Sequence, residues 1–124
     1  MFEYLVFYEY QSYEWSREVR IEVDGDSLRY RINDSRLGFP RSVQEGVYSR
    51  DFVEFISKLE GCHINQWQED NSRQNAGYGW SLRYKEVGQP CIKIKGTGLS
   101  QGSFCDFLHL INGISDEESE KDRA

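Results

Sequence analysis

Long apolar runs are missing from this sequence. Nowhere do about 18 hydrophobic residues stand together, so no segment has the length of a membrane-spanning helix. The N-terminus lacks the basic-then-apolar order of a secretory signal, and the expectation is a soluble, cytoplasmic chain with no membrane partner. Cysteine is sparse and odd in number: Cys62, Cys91 and Cys105 stand at unpatterned spacing, which argues against a disulfide framework and fits a reducing compartment. Histidine is scarcer still, at two residues. Cys62-His63 and Cys105 with His109 contain the residue types of a zinc quartet, but the spacing is not that of a finger and adjacent residues seldom converge on one ion. No metal or cofactor is expected. Nucleophilic catalysis wants a Cys or Ser beside an oriented histidine, and no local signature of that kind occurs, so no catalytic residue is assigned.

What the chain has in quantity is rings: seven Phe, eight Tyr and three Trp in 124 residues. Large rings bury much apolar area each, so a single core built from a few of them is the natural solution at this length. The net charge of −6 is unevenly spread. The last ten residues hold five acids and two bases and offer nothing apolar to bury, so residues 115–124 read as an acidic disordered tail behind a single domain over 1–114.

Period-two alternation is clear in "EVRIEVDGDSLRYRIND", where Val19, Ile21 and Val23 give way at Asp24-Gly25 to Leu28, Tyr30 and Ile32. "WSLRYKEVGQPCIKIKG" repeats the pattern with Trp80, Leu82 and Tyr84, then Ile92 and Ile94. One further extended candidate precedes each hairpin, "FEYLVFYEY" at 2–10 and "HINQWQE" at 63–69. Amphipathic helices follow at 51–61 and 103–113 with identical apolar offsets: Phe52, Phe55, Ile56 and Leu59 match Phe104, Phe107, Leu108 and Ile111, and a glycine ends each stripe. The expected fold is therefore α+β, an antiparallel sheet of about six strands with two helices on one face, with a β-β-β-α unit duplicated over half-repeats of about 1–61 and 62–114. Residues 35–49 and 69–80 read as irregular loops, where binding residues often lie.

The glycines of "GTGLSQGSF" stand between a strand and a helix, as in a phosphate loop. They fit neither G-x-G-x-x-G nor G-K-[ST], so this segment reads as a turn. The outward face of the sheet is more telling. If the apolar rows face a core, Arg20, Arg29, Arg31, Arg83, Lys85, Lys93 and Lys95 share the opposite face with only Glu22 among them. Of these, Arg29, Arg31, Arg83, Lys85, Lys93 and Lys95 are the candidate anion-binding set, with Glu3, Glu9, Glu14 and Glu18 on hand to offset them.

The second half resembles a group of small bacterial accessory proteins in which a W-S-L-x-x-x-Y strand, an I-x-I-x-G strand and an F-x-x-F-L-x-L-I helix follow one another. The corresponding residues are Trp80-Ser81-Leu82 with Tyr84, which stands two positions nearer to the leucine than in that pattern, Ile92 to Gly96, and Phe104 to Ile111. The resemblance implies accessory roles such as toxin immunity or antagonism of antiviral defence, and it carries no catalytic residue. With it, the leading expectation is a non-enzymatic inhibitor, of immunity or anti-CRISPR type, that neutralises a partner protein such as a nuclease or defence effector. Glu69 and Asp70 would meet basic surfaces of that partner, with Trp67, Tyr78 and Trp80 as aromatic anchors. The alternative is a nucleic-acid or nucleotide binding module using the basic face. A small enzyme is the third.

Overall fold

The structure is a computed structural model that describes residues 2–12, 14–35, 42–48, 52–68, 77–97 and 103–123, with only the backbone described at 42 and from 115 onward. Six strands and two helices make it α+β: β1 (Phe2–Gln11), β2 (Trp15–Asp24), β3 (Ser27–Asp34), β4 (Ser42–Tyr48), α1 (Phe52–Glu60), a 3-10 turn (Ile64–Gln66), β5 (Tyr78–Glu86), β6 (Ile92–Gly96) and α2 (Phe104–Arg123). All strand pairs are antiparallel, in the order β4-β3-β2-β1-β5-β6, which leaves β1 inside the sheet and β4 and β6 at its edges. The alternation sets the facing. Val19, Ile21, Leu28, Tyr30, Ile32, Leu82, Tyr84 and Ile94 are buried in one core, while the arginines and lysines between them turn outward. β1 adds Leu5 and Phe7, and an irregularity between Phe2 and Tyr4 flips the phase so that Phe2 also points inward and stacks on Tyr84 at 5.7 Å.

Both helices cover that inner face. Phe104 and Phe107 of α2 close on Phe7 at 6.2 and 5.2 Å, and Phe55 of α1 lies 5.9 Å from Tyr48 of β4. Each fully buried ring or aliphatic of these stripes stabilises the fold by about 1.5–3 kcal/mol through area removed from water.

The observed order, four strands and a helix followed by two strands and a helix, differs from a repeated β-β-β-α unit at two points. Residues 63–68 turn instead of extending, because Ile64 and Trp67 are buried three apart, a helical and not a period-two spacing. Trp67 Nε1 donates to the Cys62 carbonyl (3.0 Å) and to Ser103 Oγ (2.9 Å), and that hydroxyl donates to the Cys62 carbonyl (2.6 Å), so this turn is tied to the start of α2. The missing strand is β4, inside the segment read as a loop. As an edge strand it exposes Val43 and Val47 and carries Gly46 where its partner needs room, since a Cβ there would stand 2.6 Å from the Tyr30 hydroxyl. Nor does Gly113 end α2, which continues to Arg123 through the stretch expected to be a disordered tail. One glycine inside a helix costs about 1 kcal/mol, too little to stop it by itself. No helix is long and apolar enough to cross a membrane among the described residues.

Two buried protons follow from this packing. Burial, then a hydrogen bond to Glu86, pushes the Tyr84 phenol up from its ordinary 10.0, and burial, then the Asp106 charge, pushes the Cys62 thiol up from 9.0. Both groups hold their protons more tightly folded than unfolded, so their stabilisation is complete below the unfolded values and is lost as pH rises above them. The urea midpoint is expected to fall as pH climbs past about 9 and 10, and Tyr84→Phe should flatten that fall.

Candidate functional site

The outer face is organised about β1. Its outward residues are Tyr4, Val6, Tyr8 and Tyr10, spaced about 6.8 Å apart as alternate residues of a strand. Tyr8 and Tyr10 are 39% and 37% exposed, with ring centroids 6.0 Å apart. Tyr10 lies over Gly79 of β5, where a Cβ would stand 2.3 Å from the tyrosine hydroxyl, so the absence of a side chain there seats the ring.

A bank of basic side chains flanks this ridge on each side, joined on the β2–β4 side by as many carboxylates or more. One row crosses all six strands: Glu45, Arg31, Arg20, Val6, Arg83, Lys93. The banks differ in compensation. On β2 and β3 every arginine has a carboxylate: Arg20 with Glu18 (2.8 Å), Arg29 with Asp24 (2.9 Å) and Glu22 (3.8 Å), and Arg31 with Glu45 of β4 (3.2 Å). On β5 Lys85 pairs with Glu3 (3.3 Å), whereas Arg83, Lys93 and Lys95 have no carboxylate partner among the described residues. The face thus holds more acids than Glu22 alone. Of the carboxylates expected to offset it, Glu3 and Glu18 do so, Glu14 is exposed beyond the end of β1, and Glu9 faces the other way. The excess positive charge gathers on β5 and β6. Exposed pairs of this kind add at most about 1 kcal/mol to stability, so their placement matters more for recognition than for folding.

Long side chains on either side of a short one leave a depression. A hollow of about 730 Å³ opens over Val6, walled by Arg20, Arg29, Arg31, Arg83 and Val47 and bounded by Tyr4. Its size is that of a small-molecule site.

The residues expected to anchor a partner sit elsewhere. Trp67, Tyr78 and Trp80 are all buried, with Trp67 and Trp80 edge to face at 5.9 Å, so these rings belong to the core and offer no anchor to a partner. Glu69 and Asp70 lie outside the described residues, as do residues 98–102 of the glycine-rich segment. Among the described residues no three His, Cys, Asp or Glu side chains gather as a metal site; Cys62 is buried while Cys105 is exposed. Lys58, Cys62, Asp106 and His109 line a groove of about 590 Å³ between the helices.

The sequence reading missed the tyrosine ridge. Its signal was available in "FEYLVFYEY", where Tyr4, Val6, Tyr8 and Tyr10 alternate with Leu5 and Phe7. An amphipathic ring tolerates either face, so the pattern looked apolar throughout. It also missed the buried ion pair on the inner face, where the Arg17 guanidinium donates to Glu9 Oε2 at 2.5 and 3.0 Å and to Asn112 Oδ1 of α2 at 2.5 Å. Compared with protein-family models and with curated proteins, the chain matches none, and the geometry alone carries its functional reading.

Proposed function

We propose that this chain is a binding module that takes single-stranded nucleic acid on the outer face of its sheet. The observation that carries the reading is the pairing of exposed rings with uncompensated charge: Tyr8 and Tyr10 stand beside a bank in which Arg83, Lys93 and Lys95 lack carboxylate partners among the described residues. Each base stacked on an aromatic ring contributes about 1–3 kcal/mol, and lysine and arginine neutralise the phosphates that follow the bases. An open sheet reaches bases that are free to splay, which favours a single strand over a duplex. The inhibitor reading, in which Glu69 and Asp70 meet basic surfaces of a nuclease or defence effector, rests its charges on residues outside the described ones. With Trp67, Tyr78 and Trp80 in the core it has lost its aromatic anchors, and it makes no use of the tyrosine ridge.

Fluorescence anisotropy with a labelled single-stranded oligonucleotide tests the reading. Three phosphate contacts predict a slope of about −2 for log affinity against log salt, and the Arg83→Glu, Lys93→Glu, Lys95→Glu triple variant should abolish the slope. Tyr8→Ala and Tyr10→Ala should each weaken binding roughly tenfold. No binding by the unaltered protein at about 50 mM salt, or an unchanged slope in the triple variant, defeats the reading in favour of a protein partner.

A further inference from the structure

The two banks of the face are chemically unlike, and the difference predicts how a ligand lies across it. Resting on the nucleic-acid reading above, we infer that the hollow over Val6 holds one nucleobase while the attached phosphate lies on the β5–β6 bank. The wall on the β2–β4 side is close to neutral, because Arg20, Arg29 and Arg31 are already paired with Glu18, Asp24, Glu22 and Glu45. A neutral wall of paired guanidinium and carboxylate groups presents donors and acceptors side by side, which suits the edge of a flat heterocycle and not a phosphate. Val6 and Tyr4 supply an apolar floor and a ring for its faces, and about 730 Å³ leaves room for it. Across β1, Arg83 shares a strand-to-strand row with both Val6 and Lys93 and lines the hollow itself, so the uncompensated charge begins where the base would end. A phosphate there meets Arg83 and Lys93, which have no carboxylate among the described residues to displace.

The probes are guanosine 5′-monophosphate, guanosine and inorganic phosphate, followed by amide shifts of the isotope-labelled protein. Guanine is chosen because it offers acceptors to an arginine and donors to a carboxylate. The monophosphate should saturate and move the amides of Val6, Arg20 and Arg31 together with those of Arg83 and Lys93. Guanosine should bind more weakly but move the first group, and phosphate should move only the second. Val6→Trp fills the hollow and should weaken the monophosphate about tenfold or more while leaving the salt slope of oligonucleotide binding intact. Val47→Trp fills it from the opposite wall and covers the case in which the first variant fails to fold. If the fillings leave monophosphate affinity unchanged, or if phosphate alone reproduces the full set of shifts, the inference is overturned while oligonucleotide binding keeps the reading beneath it. If the oligonucleotide itself does not bind, both fall together.

Discussion

Arg17→Ala is expected to lose about 3–5 kcal/mol of folding stability, a large part of the 5–15 kcal/mol that domains of this size possess. Arg17 and Glu9 are 3% and 4% exposed, and their cost in desolvation is offset only because each partner meets the other. The guanidinium donates to Glu9 through Nε and Nη2 and to Asn112 through Nη1, while the Tyr78 hydroxyl donates to the other Glu9 oxygen at 3.3 Å. Asp34, also buried, stands across from Arg17 in the strand register. Removing the arginine strands a carboxylate in the core and frees α2 from the hydrogen bond that Asn112 accepts from Arg17. Replacing both partners, Arg17→Met with Glu9→Leu, removes the charges together and should recover most of the loss. Urea unfolding followed by circular dichroism measures both. A loss below about 1 kcal/mol for Arg17→Ala would mean that water, not Glu9, solvates this group in the folded chain.

Phe104→Ala is expected to cost about 3–5 kcal/mol, whereas Phe52→Ala, at the matching position of the other helix, should cost only about 1 kcal/mol. The two phenylalanines open stripes with the same offsets, yet the sheet beneath them differs. Phe104 is fully buried, 5.1 Å from Trp80, 5.7 Å from Trp67 and 6.2 Å from Phe7, so its removal leaves a cavity walled by rings that cannot collapse into it. Phe52 is only partly buried at the start of α1, where water can fill what is lost. Thermal unfolding of the two variants side by side measures the contrast, and equal losses would contradict the packing described.

How much of this was legible in the sequence depended on whether one force acted alone. The hairpins of β2 with β3 and β5 with β6 were readable because each strand buries one face, so the period of two appears undisturbed in Val19, Ile21, Leu28, Tyr30, Leu82 and Ile94. β4 was not, because an edge strand with an exposed outer face need not alternate, and Gly46 reads as a turn residue until Tyr30 is seen above it. Residues 63–69 looked extended because apolar residues recur in a short window, where spacings of two and three are hard to tell apart. The basic face could be foreseen residue by residue, but its compensation could not. Which arginine meets which carboxylate depends on strand order and register, and nothing local places Glu45 opposite Arg31. The aromatic anchors failed for a related reason: a ring's chemistry does not say which side of a sheet it takes, and Trp80 and Tyr78 follow the inward phase of β5.

The outermost strands also govern how copies of the chain meet. An antiparallel approach of two β6 strands centred on Ile94 would bring Lys93 of each copy against Lys95 of the other, and two β4 strands centred on Glu45 would oppose carboxylate with carboxylate. Such repulsion discourages edge-to-edge growth into ribbons. The same lysines that give the sheet its attraction for anions thereby keep neighbouring molecules from adding to it.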